Sequence, residues 1–128
     1  MKDSYYFIIV IFIIIISILI LFLYNYAYNS PYQLSAQDAK KKIKQNFFNI
    51  ILDVRTNIER NTLGYYKESI HIQGNNIEKS ISETIPNKNA TILVYSSYII
   101  NSRKIVDKLH KLGYSNTFYI TSSYKNLL

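Results

Sequence analysis

The sequence predicts a small α/β domain, a parallel sheet flanked by helices, preceded by one N-terminal transmembrane helix. Two observations carry this reading. An uninterrupted apolar run of 17 residues, Phe7 to Leu23, lies near the N-terminus, and beyond it short apolar segments without polar alternation are separated by segments of helical periodicity. A chain of 128 residues has room for a single small domain, which excludes a multidomain enzyme. It contains no Cys, so disulfides, thiolate metal sites and a cysteine nucleophile are all excluded. His71 and His110 are the only imidazoles, and no metal site or cofactor is expected.

The apolar run FIIVIFIIIISILILFL carries no charge, Gly or Pro, and Tyr5, Tyr6, Tyr24, Tyr26 and Tyr28 flank it. As a helix, Tyr5 to Tyr24 covers roughly 30 Å, the thickness of a bilayer core, with amphipathic rings at both ends. Ser17 can place its hydroxyl on a carbonyl of the preceding turn. A cleaved signal peptide is disfavoured, because the run exceeds the roughly 7–15 apolar residues of one and NYAYNS offers no small-x-small cleavage site. The division that follows is an N-terminal tail over 1–4, a transmembrane helix over 5–24, a linker over 25–33 and a domain over 34–128. Lys40, Lys41, Lys42 and Lys44 outweigh Lys2 as the basic flank, which points the domain toward the cytoplasm. No small-xxx-small pattern suggests helix pairing, so the span reads as a single-pass tether.

Along the domain, Ser35 with Asp38 three residues on reads as a helix start, giving a first helix over about 35–45. NIILDV (Asn49 to Val54) has the uninterrupted apolar character of a strand covered on both faces. SIHI (Ser69 to Ile72) is a weaker strand. NNIEKSISETI is a helix in which Ile77, Ile81 and Ile85 recur every four residues before Pro86 stops it. ATILVY (Ala90 to Tyr95) is the strongest strand signal. After a loop, a helix from about Ser102 to Leu112 sets Ile105, Val106, Leu109 and Leu112 on one side, with Gly113 as its stop. TFYI (Thr117 to Ile120) makes the last strand.

These residues resemble the rhodanese family over about 34–124. Leu52-Asp53-Val54-Arg55 with Glu59 is similar to the family's LDVRxxxE element. Leu63-Gly64-Tyr65-Tyr66-Lys67-Glu68-Ser69-Ile70-His71-Ile72 is a degraded GHIPGAxNI, with Tyr65 in place of His, Lys67 of Pro and Glu68 of Gly. The spacing from Val94-Tyr95-Ser96 to Leu112-Gly113-Tyr114 resembles that between the nucleophile and the LGY turn of an active rhodanese. The resemblance places a persulfide-forming cysteine after the VY pair, in a loop whose N–H groups converge at a helix N-terminus. Here that position is Ser96, which cannot carry a persulfide. The loop Ser96, Ser97, Tyr98, Ile99, Ile100, Asn101 keeps the usual length, but Ile99 replaces Gly and Asn101 replaces Arg. A β-branched residue resists positive φ, so a distorted anion cradle is expected. The resemblance further implies that Asp53 and Arg55 form a strand-end ionic arrangement, with Gly64 and Gly113 as fold-motif glycines. The C-terminal TSSYKNLL replaces the family's Gly-Gly and aromatic ending.

The resemblance therefore implies a catalytically inactive rhodanese-like domain that acts as a binding or regulatory module, its partners the membrane and a protein the sequence does not name. Tyr98, Ile99 and Ile100 either expose apolar surface at the former active-site mouth or fold inward to fill it. One alternative is a residual anion-binding or phosphatase-like enzyme using the helix N-terminus after Ser96. A serine nucleophile needs a base, and His71 reads as a strand histidine while His110 complements a helix C-terminus. Another alternative is a structural protein that binds anionic membrane surface. Residues 34–128 carry the whole net charge of +7, since Lys2 and Asp3 cancel. Apart from KKKIK the basic residues are scattered and no nucleic-acid motif accompanies them, so nucleic acid is not an expected partner. Lys40 to Lys44 form a solvated or lipid-facing helix face.

Overall fold

The computed structural model describes residues 2–128. Helix α1 (Lys2–Tyr28) leads into strand β1 (Gln33–Leu34) and helix α2 (Ala36–Lys44). There follow β2 (Ile50–Asp53), α3 (Asn57–Leu63), β3 (Ile70–His71), a 3₁₀ turn (Gly74–Asn76) and α4 (Ile77–Thr84). The chain closes with β4 (Ile92–Tyr95), α5 (Ile99–Lys111), β5 (Thr117–Ile120) and a second 3₁₀ turn (Tyr124–Leu127). The five strands pair in parallel in the order β1-β5-β4-β2-β3.

Alternation along the central strands sends side chains to two cores. Leu52, Ile92 and Val94 meet Ile77 and Ile81 of α4 and Ile105, Val106 and Leu109 of α5. Ile51, Leu93 and Tyr95 meet Ala39 of α2 and the C-terminal Tyr124 and Leu127. The apolar strand runs and the four-residue isoleucine spacing of α4 thus become a sheet covered on both faces.

Local signals set the helix ends. Ser35 caps α2 by accepting the Asp38 N–H at 3.2 Å. Helix α3 has a capping box: Thr56 Oγ1 accepts the Glu59 N–H, and Glu59 Oε1 accepts the Thr56 N–H, both at 3.2 Å. The sequence reading passed over α3 because it buries no side chain and so has no apolar periodicity, although T-x-x-E announces its start. Gly113, at φ +99°, turns the chain out of α5.

Two boundaries differ from expectation. The helix that contains the expected span of 5–24 is longer than the span, and the segment 25–33 read as a linker is partly helical and packed on the domain. Helix α1 continues to Tyr28, Ala27 and Ser30 are buried, and Gln33–Leu34 adds an edge strand on β5. The reason is docking on α5 and β5. Arg103 donates to the carbonyls of Tyr26 at 2.8 Å and Asn29 at 3.3 Å, its guanidinium lies 4.4 Å from the Tyr26 ring, and Tyr119 donates to the Ala27 carbonyl at 2.7 Å. These groups satisfy the carbonyls that a helix end leaves open. The expected helix from Ser102 begins instead at Ile99, discussed below.

From Lys2 to Asn25 every side chain of α1 is exposed, and the helix is long and apolar enough to cross a membrane. Ser17 donates to the Ile13 carbonyl at 2.8 Å, so its hydroxyl is satisfied within the helix.

Asp53, at the end of β2, has no exposed surface and accepts five hydrogen bonds. Arg55 supplies three, through its backbone N–H and Nε to one oxygen at 3.0 Å and Nη2 to the other at 2.9 Å. Arg60 of α3 and the Tyr95 hydroxyl of β4 each bond the second oxygen at 3.1 Å. Burial alone would raise the Asp53 carboxyl, but the hydrogen bonds and charge of Arg55, with Arg60, outweigh it and hold the group below its ordinary 3.8. Asp53→Asn, which strands two guanidinium groups, is expected to cost about 3–5 kcal/mol in chemical unfolding of the detergent-solubilised chain. Tyr95→Phe, which removes one donor to Asp53, is expected to cost about 1–2 kcal/mol. A carboxyl depressed in the folded state stabilises above its unfolded value and loses that contribution as pH falls through its folded value. The gap between wild type and Asp53→Asn is therefore expected to hold from pH 7 to about 5 and to shrink below about pH 4.

Candidate functional site

Parallel strands bring their C-terminal ends to one edge of the sheet, where α/β folds place their sites. The segments leaving β2, β4 and β5 meet there, so Arg55, Ser96 and Ser123 line one open cavity of about 230 Å³ with Leu63, Tyr124 and Lys125. A neighbouring cavity of about 220 Å³ lies between Tyr28 of α1, Ser96 to Ile99, Ser102 and Thr121.

Ser96 follows β4 directly. Its hydroxyl bonds the Tyr98 carbonyl at 2.5 Å and the Ser102 hydroxyl at 2.7 Å. Neither partner is a base able to take the Ser96 proton. His71 Nε2 instead bonds the Arg55 carbonyl at 2.7 Å, and His110 Nε2 the Thr117 carbonyl at 3.1 Å. Ser97 donates to Glu59 Oε2, which lowers the Glu59 carboxyl below its ordinary value despite some burial. Glu59 is therefore an anion engaged by Ser97 and by the α3 cap.

The six-residue loop expected over Ser96–Asn101 is corrected to three residues. Ile99, Ile100 and Asn101 form the first turn of α5, with Tyr98 as its N-cap. Positive φ among the described residues occurs at Asn46, Gly64 and Gly113, so Ile99 avoids the left-handed region its β-branch resists and opens the helix. Ile99 packs against the core, Ile100 is half-buried and Tyr98 is 68% exposed, so the two expected outcomes are divided among neighbouring side chains. Asn101 lines a separate cavity of about 390 Å³ with Thr56, Glu59, Gly74 and Lys104, away from Ser96.

Arg55 is committed inward. Besides Asp53 it donates to the Gly64 carbonyl at 2.6 Å, and its guanidinium lies 5.2 Å from the Tyr95 ring and 5.1 Å from the Tyr124 ring. Gly64 sits at φ +78°, which favours glycine, and a Cβ there would come within 2.7 Å of the Tyr124 hydroxyl and displace it. Gly113 lies at the other end of α5 beside Lys88. The C-terminal segment, whose ending differs from the resembling family, folds back over the edge: Tyr124 donates to the Leu63 carbonyl at 3.1 Å and its ring lies 5.4 Å from Tyr95. The hydroxyls lining the cavity are engaged within the chain, Ser96 by Tyr98 and Ser102, Ser97 by Glu59 and Ser123 by the Lys125 N–H, and Lys125 is the cation at its rim.

Several contributors escaped the sequence reading. Tyr95 stands opposite Asp53 in the parallel register and on the same sheet face, which only strand pairing reveals. Ser102 reaches Ser96 because α5 starts one turn early. Arg60 and Ser69 meet Asp53 and Tyr95 through the α3–β3 connection. The Arg103–Asp107 pair, at 3.0 Å, was visible as an i,i+4 spacing.

Comparison with known proteins agrees with this geometry. A family model described as rhodanese-like domain matches residues 35–128. None of the curated protein sequences compared matches the chain. Among solved structures, a protein of unknown function from Rhodopseudomonas palustris, described as a possible tyrosine phosphatase, superposes with a TM-score of 0.65 at 17% identity, covering 80% of this chain and 83% of that one. A rhodanese-like domain protein from Staphylococcus aureus gives a TM-score of 0.59 at 20% identity over 75% of this chain and 90% of its own. A human single-domain sulfurtransferase gives 0.63 at 12% identity over 76% and 95%. The structural likenesses establish the fold, and the family model covers all of the sheet beyond its edge strand, with the Ser96 loop and the C-terminal cover: the chain belongs to the rhodanese-like domain family.

Proposed function

We propose that this protein is a single-pass membrane pseudoenzyme whose rhodanese-like domain works as a binding or regulatory module, not as a sulfurtransferase. The observation that supports this reading is Ser96. It stands where the family's sulfur-accepting cysteine would be, in a chain with no cysteine, and its hydroxyl is held by Tyr98 and Ser102. Sulfur transfer needs a polarisable thiolate, and Ser supplies none. Arg55, a cation at the same cavity, is engaged by Asp53, Gly64 and two tyrosine rings.

Membrane attachment is supported by the exposed apolar length of α1, which no other part of the domain covers. With the four lysines of α2 as the basic flank, the domain is assigned to the cytoplasmic side. Two observations favour a second reading, a phosphatase-like enzyme: a neighbour of the same fold is described as a possible tyrosine phosphatase, and α5 has no side-chain cap at its N-terminus.

The full chain is expected to stay in the membrane pellet at alkaline pH, where a peripheral protein is released. Thiosulfate-to-cyanide transfer and p-nitrophenyl phosphate hydrolysis by the purified full chain are both expected at background. Thiosulfate turnover abolished by Ser96→Ala would overturn the pseudoenzyme reading, and phosphoester turnover lost in the same variant would establish the second. Ser96→Cys distinguishes a competent anion cradle from a collapsed one: the early α5 start and the inward Ile99 lead us to expect no gain of sulfur transfer.

A further inference from the structure

The end of α1 is fixed to α5, so the orientation of the domain relative to any bilayer is set by side-chain contacts. Tyr26 donates to Asp107, Asp107 pairs with Arg103, and Arg103 holds the Tyr26 and Asn29 carbonyls. The last residue of the apolar run is Leu23, and Tyr26 lies three residues further, about 4.5 Å along the helix. A headgroup layer is about 5–7 Å deep on each side of the hydrocarbon, so Tyr26 sits within it. Beside Tyr26 is an open depression of about 310 Å³ whose wall includes Lys104, Lys108 and Lys111 of α5. These three recur at i, i+4 and i+7, one face of a helix.

The charge there is unbalanced. Of the two carboxylates lining the depression, Asp107 is engaged by Arg103 and Tyr26. Glu78 meets Lys108 at 3.5 Å through solvent-exposed side chains, a contact of little strength. Lys104 and Lys111 are exposed and have no ion-pair partner among the described residues. The KKKIK segment, expected to be a solvated or lipid-facing helix face, lies on the opposite face of the sheet, with Ala39 and Ile43 packed in the cluster of Ile51, Leu93 and Tyr124.

We propose that Lys104, Lys108 and Lys111, beside Tyr26, form a docking face for anionic phospholipid headgroups where α1 enters the domain. This rests on reading α1 as a membrane span. Lipid is the committed occupant because these lysines line one depression with Tyr26, three residues past the apolar run, and ammonium groups near an anionic surface gain attraction from it. The domain is thereby anchored at two points, which restrains its tilt on α1.

The test uses the full chain in nanodiscs of phosphatidylcholine alone or mixed with phosphatidylglycerol, with lysine acetylation read by mass spectrometry. Adding phosphatidylglycerol is expected to slow acetylation of Lys104 and Lys111 roughly five-fold, with Lys41 unchanged. High salt is expected to abolish the protection. In Lys104→Gln/Lys111→Gln, residual protection of Lys108 is expected to fall. Protection of Lys41 equal to that of the α5 lysines would overturn the proposal. So would protection without anionic lipid on adding inorganic phosphate, or no lipid dependence at all. Alkaline extraction separates the two readings: a chain that stays in the membrane but shows no lipid-dependent protection fails the docking face alone, whereas a chain released into the supernatant fails the span and the docking face together.

Discussion

A carboxylate with no exposed surface joins the end of one strand to the turn that follows it, to a short helix and to the neighbouring strand. Asp53 ends β2, and its five hydrogen bonds reach the turn after β2, helix α3 and strand β4. Through Arg55 the network extends to Gly64, and through the Tyr95 hydroxyl to Tyr66 and Ser69, each at 3.1 Å. A buried charge is tolerated only when paired and fully hydrogen-bonded, so each partner is constrained by the desolvation penalty of the others. The edge of the sheet that bears the candidate site is therefore organised from beneath by this carboxylate, and Arg55 is held in that organisation.

Two side chains shape what stands above it. Serine at position 96 carries no thiol, and isoleucine at position 99 resists positive φ. Ile99 opens α5 and packs against the core, while Tyr98 before it stays exposed. Ser102 then comes within hydrogen-bonding distance of Ser96, so two hydroxyls satisfy each other at the position where an activated nucleophile would need a base. Tyr124 closes the cavity from the other side.

Helix α5 is shared between this site and α1. Its N-terminus borders the Ser96 loop, while Arg103 and Asp107 in its middle grip the end of α1. Tyr28 lines the same cavity as Ser96 and Tyr98, so the apolar helix and the Ser96 loop are neighbours.

Much of the fold was legible because it rests on local patterns. Uninterrupted apolar runs marked β2, β4 and β5, four-residue isoleucine spacing marked α4, Ser35 with Asp38 marked the start of α2, and seventeen apolar residues marked α1. The loss of thiol chemistry follows from residue identity alone. Helix α3 was missed because it buries nothing, and β1 because two residues carry no periodicity and exist as a strand only by pairing with β5. Only the tertiary structure decided that Tyr95 would face Asp53, that the expected linker would dock on α5, and that lysines of α5, not of α2, would lie beside the end of the apolar helix. The physical reason is common to all three: register, helix-end capping and the placement of charge depend on which distant segments satisfy one another's polar groups, and no local periodicity encodes that choice.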